Sequence, residues 1–249
     1  MNWNVSRVSI PVFDLKKTVE FFNYILNEDD TISPQKKGNE HEHFILGGNI
    51  ELKLFKLQNE LKNDFHFQSK RTFVSLLIEN TNFLIKNLIN NDISYIINEN
   101  KNTRSIFIQE PSFNYIELID LEMSSNDSKN TSWNFHHINL ESYDVRSSVN
   151  FISKYLKIKE GSWEAPVELG KVNIEKNQLA IFPLDKNHSG IHINKADFTF
   201  SWRNKFIHNP TIGGHPAFNV KDIKGFIKKL KNAKIVYSDA KVYAMPNIY

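Results

Sequence analysis

The stretch HINLESYDVRSSVNFISKYL, residues 137–156, follows the same pattern as RVSIPVFDLKKTVEFFNYIL, residues 7–26. In each copy a strand-like run is followed, seven residues after its first residue, by an aspartate. The apolar positions of the helical pattern behind that aspartate also coincide, at a constant offset of 130 residues. Such an internal repeat indicates that the chain contains copies of one supersecondary unit.

A second repeat, at an offset of 142 residues, aligns Phe73 with His215. The position that opens the strand therefore carries a histidine in the second half of the chain, His137 or His215, and Arg7 or Phe73 in the first half. A neutral imidazole binds metals and transfers protons, whereas arginine is permanently protonated and phenylalanine has no donor. We therefore expect any chemistry to lie in the second half.

The composition restricts the classes of function. The 249 residues contain no cysteine, which excludes disulfides, thiolate nucleophiles and cysteine-ligated zinc. The net charge is only +3, and the densest basic run, residues 228–234, fits the solvated face of a helix. The sequence shows no signal-peptide pattern and no apolar run of membrane length. We therefore expect a cytoplasmic protein that binds neither nucleic acid nor a membrane.

The order of the predicted elements indicates an α+β chain of four βαβββ units, because helical spacing alternates with β-branched and aromatic runs. Residues 1–122 form the predicted N-terminal domain and residues 133–249 the predicted C-terminal domain. The polar segment 123–132 is the predicted linker between them. Residues 187–209 have the character of an insertion without a predicted element.

Three local motifs resemble the vicinal oxygen chelate superfamily, which includes glyoxalases, extradiol dioxygenases and fosfomycin resistance proteins. They are the strand and helix of residues 137–156, the segment GHPAFNV at 214–220 and the segment EPSFNYIEL at 110–118. The resemblance implies tandem βαβββ units that form two glyoxalase-like domains, with curled mixed sheets around a cleft. It also implies a divalent metal in the cleft and a small-molecule substrate that is chelated through adjacent oxygens.

Carried over to this sequence, the metal positions of the superfamily fall on His137 and His215. The extra carboxylate of glyoxalase-type sites would lie at Glu51, and Leu179 aligns with it in the second domain. An apolar residue there favours an extradiol-dioxygenase-like site, with Fe(II) or Mn(II) preferred and Zn(II) or Ni(II) as alternatives. A glyoxalase-type lyase or isomerase and a metal-free small-molecule binding protein are the alternative functions.

The third metal ligand has no obvious position in the second domain. The residue that corresponds to Glu117 falls beyond Tyr249, so we expect this domain to lack its closing strand. In the first domain we expect Arg7 and Glu117 to form a buried ion pair in place of a metal site. That domain would serve as a scaffold or an interface, with a homodimer as the candidate assembly.

Three residues are candidates for the catalytic movement of protons or for hydrogen bonds to substrate: His188, His192 and Tyr243. The resemblance implies one acid–base histidine near His188 and His192 without choosing between them, and an exposed surface position is the alternative for each. Tyr243 is the candidate donor to a bound oxygen. We expect His136 to face away from His137, because side chains alternate along a strand.

Overall fold

The computed structural model contains helices and mixed sheets, which confirms the predicted α+β fold class. The predicted linker at 123–132 lies outside the residues that the structure describes. The described residues are 4–26, 35–36, 41–45, 50–56, 73–79, 81–99, 103–121, 133–162, 164–167, 170–173, 175–184, 189–197 and 215–235.

The described part of the chain contains four α-helices, and the helices that follow Asp14 and Asp144 begin where the sequence predicts. Asp14 and Asp144 accept hydrogen bonds from the backbone N–H groups of Lys17 and Ser147, which satisfies donors of the first helical turn. The pKa of both carboxyl groups is lowered, that of Asp14 chiefly by the Lys17 N–H and that of Asp144 chiefly by the Ser147 hydroxyl, with the Ser147 N–H second. None of the described helices is both long and apolar enough to cross a membrane. The helices are α1 (Leu15–Leu26), α2 (Thr81–Asn90), α3 (Val145–Phe151), which a π-helical segment (Ile152–Leu156) continues, and α4 (Ile223–Asn232).

The described strands form three sheets. A five-stranded sheet is built from β1 (Asn4–Val12), β2 (Gln35–Lys36), β3 (His41–Ile45), β4 (Glu51–Lys56) and β14 (His215–Asn219), in the order β14-β1-β4-β3-β2. A seven-stranded sheet is built from β5 (Phe73–Leu77), β6 (Tyr95–Glu99), β7 (Arg104–Gln109), β8 (Tyr115–Asp120), β9 (Asn134–Ser142), β12 (Leu179–Pro183) and β13 (Gly190–Lys195), in the order β12-β13-β9-β5-β8-β7-β6. Strands β10 (Glu164–Val167) and β11 (Gly170–Asn173) pair only with each other.

Each large sheet takes strands from both predicted domains. The five-stranded sheet joins the first βαβββ unit to β14 of the fourth, and the seven-stranded sheet joins the second unit to the third. The boundary at residues 123–132 therefore separates the two sequence repeats but not the two sheets. Units pair as first with fourth and second with third, whereas we expected consecutive units to share a cleft.

Both large sheets have one apolar face that forms the core. In the seven-stranded sheet Val74, Leu76, Ile116, Leu118 and Ile138 are buried on this face. Because side chains alternate along each strand, the residues between them lie on the opposite face. That opposite face is polar, and it carries the candidate functional residues.

A β-bulge occurs at the same repeat position in both sheets. Between β1 and β14 the register shifts at Ser6, and between β5 and β9 it shifts at His136. Ser6 and His136 are related by the repeat offset, so the distortion belongs to the repeated unit. A bulge re-aims the side chains next to it, and the residues that follow these two are Arg7 and His137.

The motif at 110–118 fixes the second unit to the first. The buried Glu110 carboxylate accepts hydrogen bonds from the backbone N–H groups of Ser112 and Asn114 and from the Thr18 hydroxyl, at 2.8, 2.9 and 2.9 Å. Ser112 Oγ in turn accepts from Phe13 N–H at 2.9 Å. Burial raises the pKa of Glu110, and these donors oppose that rise. The turn between β7 and β8 therefore closes over the start of α1.

Two assignments from the sequence are corrected by the strand pairing. The predicted insertion at 187–209 contains β13, which runs parallel to β9. Strand β13 is therefore the counterpart of β4, which runs parallel to β1 in the first unit. Leu179 lies on β12, the antiparallel neighbour of β13, so the alignment of Leu179 with Glu51 was wrong.

Candidate functional site

Four polar side chains lie on the polar face of the seven-stranded sheet, at its centre. Ser75 on β5 stands directly opposite His137 on β9 and, on its other side, opposite Glu117 on β8. His192 on β13 stands opposite Asn139, two residues beyond His137 on the same face of the strand. The register of four neighbouring strands thus brings together a carboxylate, a hydroxyl and two imidazoles.

Ser75 joins the carboxylate to the first imidazole. Its hydroxyl donates to Glu117 Oε2 in a short hydrogen bond and lies 2.9 Å from His137 Nε2. The Glu117 Oε2 atom is itself 3.6 Å from His137 Nε2. Ser75 is completely buried, so the structure offers its hydroxyl as a bridge inside the cluster.

Glu117 is almost enclosed by protein, with 13% of its side chain exposed. Burial raises the pKa of its carboxyl group, because the charged form loses hydration. Hydrogen bonds donated by the hydroxyls of Ser105 and Ser75 oppose this rise, since they favour the carboxylate. The result is a carboxylate whose proton affinity is greater than that of a solvated glutamate.

His137 is also buried, with 7% of its side chain exposed. Burial is the main cause that lowers the pKa of His137 well below its usual value, and the nearby imidazoles of His192 and His136 add to the effect. The ring of His192, half-buried, stacks on the ring of His137 with centroids 3.8 Å apart and an angle of 16° between the planes. His137 is therefore neutral at physiological pH.

His136 joins the cluster through the bulge. Its Nδ1 lies 2.6 Å from Nδ1 of His137, so the two adjacent side chains meet instead of pointing to opposite faces. The expectation that His136 faces away was wrong, because the bulge at this residue interrupts the alternation of the strand.

The donors and acceptors of the cluster fix where its protons lie. Ser75 gives its only proton to Glu117, so the bond between Ser75 and His137 requires a proton on His137 Nε2. A neutral His137 then has a bare Nδ1, which accepts the proton of His136 Nδ1. The result is one continuous chain of hydrogen bonds from His136 through His137 and Ser75 to Glu117.

The rest of this polar face offers amide groups and an aromatic wall. Asn194 donates a short hydrogen bond to the side-chain oxygen of Asn139, next to His192. Phe73 and Phe107, which the register places on the same face, pack edge to face with centroids 5.3 Å apart. Such a surface suits a small, flat molecule that carries polar groups.

The residue types of the cluster suit a metal ion, but the arrangement of their side chains does not. Glu117, His137 and His192 supply two imidazoles and one carboxylate. However, the two rings are stacked nearly parallel, so their nitrogens do not converge on one point, and His137 Nε2 is hydrogen-bonded to Ser75. Among the residues that the structure describes, no group of three or more His, Asp or Glu side chains is placed to hold a metal ion. These residues therefore do not fit a resident metal.

His215 lies on a different sheet from His137. Strand β14 pairs with β1, and His215 stands opposite Ser9 in the five-stranded sheet. Arg7 forms an ion pair with Glu51 on the neighbouring strand, not with Glu117 as expected from the sequence. The strand pairing therefore does not join the two histidines that were predicted to share a metal, and the predicted pair of Arg7 and Glu117 was wrong.

The sequence-predicted acid–base residues have different outcomes. His192 lies beside His137, whereas His188 and Tyr243 fall outside the described residues. Sequence reasoning missed Ser75, Ser105 and the place of Glu117, because a serine on a strand carries no signal of its own. The available signal was the repeat, since units that pair across the chain would bring the opening strands of units two and three together, with the closing strand of unit two next to them.

Comparison with known proteins rests on structure alone, since the sequence matches no protein-family profile and no curated protein sequence. Glyoxalase I from Zea mays superposes with a TM-score of 0.59 at 14% identity, over 93% of this chain and 79% of that one. A mutant of the same enzyme gives 0.61 at 13% identity, over 94% and 81%. A "putative dioxygenase" from Bacillus subtilis gives 0.59 at 10% identity, over 93% and 74%.

At these identities the similarity identifies the fold and not the activity. The matched structures span nearly the whole chain, so the match covers both large sheets and all four units. The resemblance that the local motifs suggested is thereby confirmed at the level of architecture. The chain therefore has a glyoxalase-like fold.

Proposed function

We propose that the protein binds a small polar organic molecule on the polar face of the seven-stranded sheet and transfers a proton to or from it. Glu117 and His137 are the proposed proton-transfer pair, and the reaction needs no metal ion. The reaction class is the isomerase or lyase chemistry that begins with removal of a proton next to a carbonyl group.

One observation carries the proposal: Glu117 and His137 are buried 3.6 Å apart and bridged by Ser75. Burial raises the pKa of Glu117 and lowers that of His137, so the proton affinities of the two groups approach each other. Two groups whose proton affinities are closer together exchange a proton more readily in both directions. Perturbed groups clustered on a polar face are typical of functional sites.

The hydrogen-bonded chain supplies a path for the proton. When His136 takes up a proton from solvent at Nε2, its Nδ1 proton can pass to His137 Nδ1. The His137 Nε2 proton then passes to Ser75 Oγ, and the Ser75 proton passes to Glu117. Each residue along the path gains one proton and loses one, so the net result is a proton delivered from solvent to Glu117.

The surroundings support a planar, oxygen-bearing ligand. Phe73 and Phe107 provide an apolar wall, while Asn139 and Asn194 provide amide groups at the other side of the cluster. The ring of His192 covers His137 and offers a further polar edge. A small carbonyl compound or diol has both an apolar part for the aromatic wall and oxygen atoms for the amide groups.

A metal-dependent function, dioxygenase-like or glyoxalase-like, is the second candidate. It is favoured by one observation, that Glu117, His137 and His192 are the donor types that suit Fe(II) or Mn(II) and lie on one face. The stacking of the two rings weighs against it.

Solvent-deuterium exchange separates the two candidates. The protein is incubated in D₂O with dihydroxyacetone, hydroxyacetone and catechol, with EDTA or with added Mn(II), and deuterium in the probe is followed by NMR. We expect exchange in EDTA that falls by about a hundredfold or more in Glu117→Gln. Glu20→Gln, at an exposed position of α1, is the control that keeps full exchange.

Exchange or oxygen uptake that appears only with Mn(II) or Fe(II) would instead support the second candidate. Exchange that is equal in wild type and Glu117→Gln would contradict the proposed role of the carboxylate.

A further inference from the structure

The five-stranded sheet has a polar face of its own, and its charges differ from those of the seven-stranded sheet. The register places Arg7 opposite Glu51, and in the next row Ser9 lies between Lys53 and His215. Two cationic side chains and one carboxylate therefore share this face. On the equivalent face of the other sheet, Glu117 is the charged group of the described cluster.

Arg7 uses its guanidinium differently from the other described arginines. Its Nε donates to Glu51, and neither terminal nitrogen forms a hydrogen bond with a residue that the structure describes. Arg146, by contrast, binds Glu160 through both terminal nitrogens at 3.2 and 2.9 Å. Arg104 binds Thr81 and Asn82 through Nη1 at 2.9 and 2.6 Å. Arg7 therefore keeps the two nitrogens that form a planar fork.

The position of Arg7 holds this fork in place. The ion pair with Glu51 fixes the Nε edge of the guanidinium, and the bulge at Ser6 precedes the side chain. One quarter of the Arg7 side chain is exposed, so solvent and small solutes reach it. Lys53, two residues from Glu51 on the same strand face, is buried and adds a second positive charge.

We infer that the polar face of the five-stranded sheet, defined by Arg7, Ser9, Glu51 and Lys53, binds a small oxyanion. The terminal nitrogens of Arg7 match the spacing of two oxygens on a carboxylate or phosphate group, and such paired hydrogen bonds are among the strongest available to a side chain. Glu51 holds the guanidinium in place, and Lys53 adds a positive charge two residues further along the same strand face. This site is separate from the proposed proton-transfer cluster.

The test follows the arginine side chains directly. Protein labelled with ¹⁵N is titrated with inorganic phosphate and, separately, with acetate, at an ionic strength held constant with sodium chloride. We expect a saturable shift of the Arg7 Nε–H resonance with a dissociation constant of about 1 mM, and no saturable shift of Arg104 or Arg146. The two titrations decide whether the site prefers a phosphate or a carboxylate.

Two variants test the role of the fork. Arg7→Lys keeps a cation beside Glu51 and removes the fork, so we expect the anion to bind at least about tenfold more weakly. Arg104→Lys, in which the replaced arginine is already engaged, is the control with unchanged affinity.

The wild-type titration does not depend on the folding of either variant. A wild-type protein in which Arg7 shows no saturable shift with either anion would overturn the inference. An Arg7→Lys variant that binds as well as wild type would do the same. Failure here leaves the deuterium-exchange test at Glu117 unaffected, because the two tests use different sheets.

Discussion

Replacing Ser75 by alanine removes the hydroxyl that joins Glu117 to His137 and leaves the rest of the sheet unchanged. Two hydrogen bonds are lost, one to a carboxylate and one, of 2.9 Å, to a neutral imidazole. The first is worth about 1.5–3 kcal/mol and the second about 0.5–1.5 kcal/mol. Because Ser75 is completely buried, water does not replace the hydroxyl. We therefore expect Ser75→Ala to lower the free energy of unfolding by about 2–4 kcal/mol.

The measurement is urea denaturation at pH 7.5, with the free energy of unfolding from linear extrapolation. Ser105→Ala is the matched control, because Ser105 donates to the same carboxylate but does not touch His137. We expect the free energy of unfolding to fall less in this control than in Ser75→Ala, by about 0.5–1.5 kcal/mol, which is the contribution of the hydrogen bond to His137. Equal losses in the two variants would refute the bridging role of Ser75, and so would a loss below about 0.5 kcal/mol in Ser75→Ala.

Three further predictions concern pH and packing. The pKa of His137 is lowered in the folded protein, whereas a histidine in the unfolded chain titrates near 6.5, so the free energy of unfolding should fall as the pH drops below about 6.5, by up to about 1.4 kcal/mol per pH unit. In His137→Asn, denaturant melts at several pH values should show a smaller fall over the same range. An equal fall in wild type and variant would contradict the burial of a neutral ring. Glu110→Ala should lower the free energy of unfolding by about 3 kcal/mol or more, since it leaves the backbone donors of Ser112 and Asn114 buried without an acceptor, whereas exposed Glu99→Ala should change it little. Gly190→Ala should lower the free energy of unfolding, measured in thermal melts, by about 1–3 kcal/mol, because a Cβ would lie 2.2 Å from the Phe182 carbonyl oxygen. An unchanged free energy of unfolding would show that β12 and β13 are not packed as described.

The repeat in the sequence predicted the elements well. The aspartates that begin α1 and α3, the strands that precede them and the turn at 110–114 depend on local signals, namely capping, apolar spacing and turn residues. Local signals act within a few residues, so one chain is enough to detect them.

The pairing of the units could not be predicted from those signals. Four similar units can share sheets as consecutive pairs or as first with fourth and second with third, and the strand patterns fit both. The choice depends on long-range contacts, such as Val74 of β5 opposite Ile138 of β9, that no local pattern reports. This is why His215 was expected beside His137.

The site depends on two features with weak signals. Strand β13 has the alternation of a half-buried strand, but its six residues lie within a longer polar segment to which no element was assigned. His192 was therefore predicted as a candidate without its place beside His137. The bulge at His136 breaks the alternation that the sequence reading assumed. Ser75 became significant only once β5 was seen between β8 and β9.

The most direct test of the central claim is the ¹⁵N spectrum of the His137 imidazole at pH 7.5, recorded in EDTA and again with one equivalent of Zn(II) or Mn(II). The account predicts a neutral ring with its proton on Nε2, an Nδ1 that accepts from His136, and no change on addition of metal. Coordinated nitrogen signals, or paramagnetic loss of the His137 and His192 signals together, would show a metal site. That result would contradict a cluster that transfers protons without a metal ion.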